Sequence, residues 1–381
     1  MKPFECDLAG KRIIGLFPEL LGYGGVQEAS RLTAAVLGEI ALRYDLSTQF
    51  IALNDPVGFH SFRVKETQVR FKGFGRDKIK FTIFASRQSR EEAFLIVATH
   101  PHLAVPCECV KLLCPGVRSI VISHGLEVWK QLPFIRRTAL QRSDLILSPS
   151  SDTAQKLFDI QGVAGQKIRK MAWPLSPDFL QMADHSDQLP SPKGFPEGRI
   201  ILTVAREAKV DQYKGTDALL FAVSKLCGEF SDLNLVVVGA GDDLPRLRKI
   251  ADDLGISNRV KFLGSLSREE VAASYSRCEI FALPSTGEGF GLVFLEAMAF
   301  AKPLIGVACG GVVDVVEDGV NGILLPPDNL SSLVEGLAML LKDPVRSKKL
   351  GQRGAVLVRD RYSFEHFQAQ LEDLLIEFVL K

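Results

Sequence analysis

No stretch of this 381-residue chain approaches the ~20 uninterrupted apolar residues that a membrane-spanning helix needs. Its first ten residues carry Glu5 and Asp7 and no apolar core, so a secretory signal is not expected there. Cysteine is sparse: there are seven, with Cys107 and Cys109 two apart, and no CxxC or Cys/His spacing of a zinc site. Reduced, mostly buried thiols of a cytosolic protein are the expectation. An excess of one charge is also missing, because a net charge of +1 excludes a strongly basic nucleic-acid binder. What is present is ordinary: 46% hydrophobic and 24% charged residues, the balance of a soluble globular protein and not of a disordered or collagen-like one. The length exceeds one ordinary core and suits two units of roughly 150 to 200 residues.

Strand, loop and helix patterns alternate along the chain. Short apolar runs at 12–17, 49–53, 94–98, 119–122 and 144–147 read as strands, the first followed by a glycine-rich turn and a helix over about 27–42. Residues 178–198, rich in Pro, Ser, Asp and Gly, have no sustained period and read as a linker. Strands then resume at 199–204, 234–238, 259–263, 280–283 and 302–307. Such alternation predicts an α/β fold of two doubly wound parallel sheets. The expected domains are 1–180 and 199–362, with 181–198 between them. The part through Pro190 holds 24 basic and 19 acidic residues and the rest 22 and 26, so opposite charges are expected across an inter-domain cleft. Residues 363–381 form an amphipathic pattern with Phe364, Phe367, Leu371, Leu374, Leu375 and Phe378 on one face and Ser363 able to cap it.

Ligands of open parallel sheets bind beyond the carboxyl ends of the strands. The segment LPSTGEGFGLVFLEAMAFAKPLIG at 283–306 places a strand, a flexible loop and a helix in that order. The helix start exposes unpaired N–H groups suited to a phosphate, and Gly287, Gly289 and Gly291 allow close approach. Glu288 lies on the loop. Glu296 lies inside the helix among apolar neighbours, and a carboxylate there can accept hydrogen bonds from a sugar or ribose diol.

This segment resembles the EX7E motif of family 4 glycosyltransferases, retaining enzymes of GT-B fold. YGGVQ at 23–27, SHGLEVW at 123–129, SPSSDT at 148–153, AREAKVDQYKG at 205–215, VVVGAGDD at 236–243, VKFLGSLSREEV at 260–271 and GGVVDVVEDGVNGILLPP at 310–327 follow in the family's order. The resemblance implies transfer of a hexose from a nucleotide diphosphate sugar to a sugar or lipid-linked acceptor in polysaccharide assembly. UDP-glucose or a related UDP-sugar is the expected donor, a substrate and not a cofactor, and no metal is required. In GT-B proteins the terminal helix crosses back to the first domain, which is expected of 363–381. Arg206 and Lys214, with the helix start at Gly289, Phe290, Gly291 and Leu292, would hold the diphosphate. Lys209 competes with Lys214 for that role. Glu296 would hold the ribose, Phe262 would lie near the base, and Glu288 and His124 would orient the donor sugar. GAGDD at 239–243 has only part of a dinucleotide fingerprint, since Leu244 stands at its last glycine position.

In the first half, Gly24 and Gly25 sit where the first strand turns into its helix and are read as donor contacts, whereas Gln27 can be a routine first-turn residue. His100 and His102 form an HxH pair without an evident third ligand, which favours a structural or acceptor-side role over a metal. Residues 61–90 hold nine basic and two acidic residues interleaved with Phe62, Phe71, Phe74, Phe81 and Phe84. They read either as an inner-membrane docking surface or as a solvated face around core phenylalanines. Two other classes stay open. One is a GT-B epimerase or phosphorylase. The other is a silent nucleotide-sugar-binding subunit, which would lack the carboxylates and cations present here.

Overall fold

The computed structural model describes residues 10–89 and 92–380. Glu5, Asp7 and the leader reading built on them, Arg90 of the basic segment, and Lys381 lie outside that range. The chain divides into two units, Met1–Ser176 with Phe364–Lys381, and Pro177–Ser363.

The first unit contains β1 (Arg12–Phe17), α1 (Gly25–Arg43), β2 (Ser47–Ala52), β3 (Gly58–Val64), β4 (Thr67–Gly73), α2 (Lys78–Gln88) and β5 (Ala93–Ala98). It continues with α3 (Ala104–Leu113), β6 (Arg118–Ile122), α4 (Phe134–Arg142), β7 (Leu145–Ser148), α5 (Ser151–Asp159) and β8 (Ile168–Lys170). The sheet order is β3-β4-β2-β1-β5-β6-β7-β8. Every pair is parallel except the edge hairpin β3–β4. Continuous apolar runs form the central strands because helices cover both their faces. The last residues of β1, β5 and β6 are buried.

The hairpin separates the two readings of 61–90 as far as its phenylalanines are concerned. Val69, Phe71 and Gly73 of β4 face inward while Arg70 faces out, a period-two pattern that makes a half-buried edge strand. Phe71, Phe74 and Phe81 are core residues and Phe62 and Phe84 are half-buried, so none of the five forms an exposed aromatic surface. Packing won over the docking alternative for these side chains.

The second unit contains α6 (Pro177–Asp184), β9 (Arg199–Val204), α7 (Thr216–Leu226), β10 (Leu233–Val238), α8 (Leu244–Asp253), β11 (Val260–Gly264) and α9 (Arg268–Arg277). Then come β12 (Ile280–Leu283), α10 (Leu292–Ala299), β13 (Leu304–Val307), β14 (Gly322–Leu325), α11 (Leu330–Lys342) and α12 (Pro344–Arg361). Its six strands are all parallel, in the order β11-β10-β9-β12-β13-β14. Both sheets are those of the expected doubly wound class.

The stretch read as a linker opens on α6. Phe179 of that helix is buried, with the Arg268 guanidinium 5.0 Å from its ring centroid and the Tyr275 ring 6.4 Å away. Pro177 at the helix start and a single buried aromatic gave too short a pattern to stand out from turn residues. The terminal helix α13 (Phe364–Leu380) groups with the first unit. Gln368 donates to Glu39 at 2.7 Å, Tyr44 to Glu372 at 2.5 Å, and Arg43 pairs with Glu372. Phe364, Phe367, Leu371 and Leu375 are buried, and the Phe367 ring lies 6.0 Å from that of Trp173. The six cysteines among the described residues are free thiols.

Candidate active site

In the second unit, β9 sits between β10 and β12, so three strand-end loops meet beside one another. The loop after β9 carries Arg206 and Lys214. It is bonded along its length to the GAGDD loop: Ala205 N–H donates to Val238 O at 3.0 Å and Glu207 N–H to Ala240 O at 3.1 Å. In return Asp243 N–H donates to Glu207 O at 3.0 Å, and Lys209 N–H donates to the Asp242 carboxylate at 2.8 Å. A Cβ on Gly239 would lie 1.7 Å from Ala205 O, and one on Gly241 would lie 1.9 Å from Glu207 O. Only glycine permits that approach. The glycines of GAGDD therefore seat the Arg206 loop, a purpose that a strand-to-helix turn read in isolation does not reveal. On its other side, Thr286 N–H donates to Tyr213 O at 2.9 Å.

This bracing delivers Lys214 Nζ to Glu288 Oε1, 2.5 Å away, with both side chains largely buried. Lys209 is exposed, so of the two lysines it is Lys214 that reaches the glutamate. Lys214 ends a tight 3-10 turn, and α7 begins at Thr216. Arg206 donates from Nε to Asp211 at 2.5 Å while its side chain stays mostly exposed, free at the guanidinium's outer edge to meet an anion. α10 starts at Leu292 behind Gly291, whose φ of 93° suits glycine, and no side chain caps the helix. Its first N–H groups are thus left to a ligand. Gly289, Phe290 and Gly291 are buried against that start, and Gly311 N–H donates to Glu288 O at 2.7 Å, fixing the loop.

Glu296 is half-buried, more open than its apolar neighbours suggested. Its carboxylate accepts from the fully buried Tyr275 hydroxyl at 2.9 Å. Burial, then the charge of Glu296, push the Tyr275 phenol well above its ordinary pKa, so it stays a donor. Phe262 is half-buried against the core with the Arg248 guanidinium 4.9 Å from its ring centroid. Tyr275, Asp211 and Asp243 escaped the sequence reading. Each acts on a partner through a fold contact, and only the capping and turn signals near them were visible.

The first unit is different in kind. Gly24, at φ 133°, precedes α1, whose first residue is Gly25. Gln27 donates to Glu19 at 2.8 Å. The loop is held by Arg31, which donates to Leu20 O and Gly22 O at 2.9 and 2.7 Å, and by buried Asp55, which accepts from Leu20 N–H at 2.7 Å. His124 follows β6. Its Nε2 lies 2.6 Å from Thr99 O and so donates, which leaves Nδ1 as an acceptor. The ring stacks on Trp173 at 5.1 Å, and burial holds its pKa below the ordinary histidine value. His100 Nδ1 accepts from His102 N–H at 3.2 Å, and burial followed by the neighbouring imidazoles lowers its pKa to about 3. The three rings are close, 4.6 Å for His100–His102 and 5.9 Å for His100–His124, yet no group able to hold a metal occurs among the described residues.

Comparison with known proteins agrees with this layout. The family model described as "Glycosyl transferases group 1" matches residues 186–356. The chain is 28% identical over 273 residues to a GDP-mannose-dependent alpha-(1-6)-phosphatidylinositol monomannoside mannosyltransferase of Mycolicibacterium smegmatis, covering 68% of this chain and 70% of that protein. It is 30% identical over 269 residues to a D-inositol 3-phosphate glycosyltransferase of Mycolicibacterium paratuberculosis, covering 69% and 59%. Among solved structures it resembles sucrose-phosphate synthase of Thermosynechococcus elongatus, with a TM-score of 0.76 at 20% identity over 97% of this chain and 100% of that one. HepE of Anabaena in complex with UDP gives 0.71 at 16% identity over 96% and 100%.

Proposed function

We propose, for a chain that belongs to the family 4 glycosyltransferases of GT-B fold and acts in glycoconjugate biosynthesis, a retaining transfer of a hexose from a nucleotide diphosphate sugar to a sugar or lipid-linked acceptor. The observation that carries this reading is the Lys214–Glu288 pair beside the uncapped start of α10. A donor diphosphate can take Lys214 from Glu288, add Arg206 and the α10 N–H groups, and so stabilise the charge of the leaving nucleotide. Glu288, released from the lysine, then accepts from a sugar hydroxyl. Glu296, aimed by Tyr275, accepts from the ribose, and His124 Nδ1 accepts from a hydroxyl without carrying charge. The leaving phosphate oxygen takes the acceptor's proton as the new bond forms on the face the leaving group departs. Retention follows from that geometry.

The names of the sequence relatives favour a GDP-hexose over the UDP-hexose expected from the sequence. Calorimetric titration with GDP-mannose and UDP-glucose decides between them, and the anomeric configuration of the product tests retention. Failure of both sugar nucleotides to bind would end the proposal. A lipid-linked acceptor suits the first unit, where Phe134, Ile135 and Ile79 are exposed beside Lys78, Lys80 and Arg136. No helix among the described residues is long and apolar enough to cross a membrane, so this reading places the enzyme on the cytoplasmic face as a peripheral protein. Sedimentation with anionic and neutral vesicles checks it.

A further inference from the structure

Five carboxylates and three cations meet where the loops after β9 and β10 lie against the start of α7 and the loop before α10. Arg206 pairs with Asp211 at 2.5 Å and Lys214 with Glu288 at 2.5 Å. Arg246 pairs with Asp243 at 2.6 Å and with Asp217 at 3.2 Å. Glu207 is the carboxylate left over. It is 4% exposed, and among the described residues its side chain has one hydrogen bond, accepted from the Thr216 hydroxyl at 2.9 Å. Facing it are Asp211 and Lys214 from its own loop, Asp217 from α7, and Asp243 and Arg246 from the start of α8. Every cation in that set is already committed elsewhere. A buried carboxylate in such surroundings prefers its neutral form.

We propose that Glu207 is a positioning residue of the diphosphate grip and takes up a proton when a nucleotide sugar binds. The inference rests on the nucleotide-sugar reading above. In the free protein, burial raises the Glu207 pKa to about 7, which leaves it partly ionised at neutral pH. A diphosphate seated on Lys214 and Arg206 adds negative charge beside a carboxylate that has no cation of its own. The proton then moves from solvent to the Glu207 carboxylate, its hydrogen bond to Thr216 persists, and the loop carrying both cations loses a repulsion toward the ligand.

The test is calorimetric titration at pH 7 in phosphate and in Tris, buffers of different ionisation enthalpy. GDP-mannose and UDP-glucose are the probes, because their diphosphate diesters do not titrate near neutrality. Wild-type protein should take up about half a proton per ligand, the amount set by a group half-ionised at that pH. Glu207→Gln should take up none, and its affinity should stay flat from pH 6 to 8.5, whereas wild-type affinity falls by up to tenfold per pH unit, roughly the one-proton limit. Thr216→Val removes the bond that favours the ionised form, so its uptake should shrink at pH 7 and its inflection move to higher pH. Binding without proton uptake, or equal uptake in wild type and Glu207→Gln, would overturn the role of Glu207 and leave the donor reading standing. Absence of binding by either probe would instead overturn the donor reading and this inference with it.

Discussion

At the ends of β5 and β6 the first unit collects three imidazoles and an indole, whereas at the ends of β9, β10 and β12 the second collects lysine, arginine and carboxylates. Both units are doubly wound sheets with buried parallel strands, and both present these groups from loops after strands. The scaffold thus fixes where chemistry is placed, and the loop residues fix its sign. Burial acts oppositely on the two sets because it always disfavours charge. It depresses the pKa values of His100 and His124 and raises that of Glu207. Neutral rings suit hydroxyls, and clustered cations suit a diphosphate.

The sharpest way to break this comparison is Lys214→Ala. It removes a preorganised cation and leaves Glu288 buried without its partner, so turnover should fall by about 2 to 4 kcal/mol, roughly a hundred- to a thousandfold. Steady-state assays with donor below its KM check this, and wild-type turnover would take Lys214 out of the site. Next is Glu207→Gln, read by thermal or urea unfolding. The folded pKa of about 7 lies above the ordinary 4.5, so the native state binds the extra proton and stability declines as pH rises from 4.5 to 7. The glutamine variant should therefore be more stable than wild type at pH 8, by up to about 3 kcal/mol at 1.36 kcal/mol per unit of pKa, and should gain little at pH 4.5.

His100→Asn should show the opposite trend. Its folded pKa of about 3 lies below 6.5, so wild-type stability holds above pH 6.5 and is lost progressively toward pH 3. The variant should remove about 2 kcal/mol of that loss at pH 5, seen as a smaller fall in unfolding midpoint between pH 7 and pH 5. Matching pH slopes for the two variants would destroy the contrast between the units. The smallest effect is expected of Tyr275→Phe, which removes the hydrogen bond aiming Glu296. Nucleotide affinity should weaken by about 1 kcal/mol, near fivefold, with the catalytic rate at saturation little changed.

The terminal helix and the strand-end positions of Arg206, His124 and Glu288 were readable because they depend on local period and on the rule that sites follow strands. The β3–β4 hairpin and α6 were not. In the first, an alternating pattern sat inside a run of positive charge, and in the second one buried phenylalanine was the whole signal. The sequence left two readings open for phenylalanines 71, 74 and 81 for the same reason: which face of a short element meets a core is a property of its neighbours, and here the core took them.

Alternating apolar runs and turn residues, local in origin, determined two α/β units and put glycines, cations and carboxylates on particular loops. Tertiary structure decided how those residues are joined. Lys214 and Glu288 are 74 positions apart, and Asp243 lies 36 positions beyond the backbone of Glu207 that it grips. No local pattern encodes such pairings. They exist because parallel strands of one sheet end side by side, glycine lets their loops touch, and a buried charge is stable only where another chain segment brings its counter-charge.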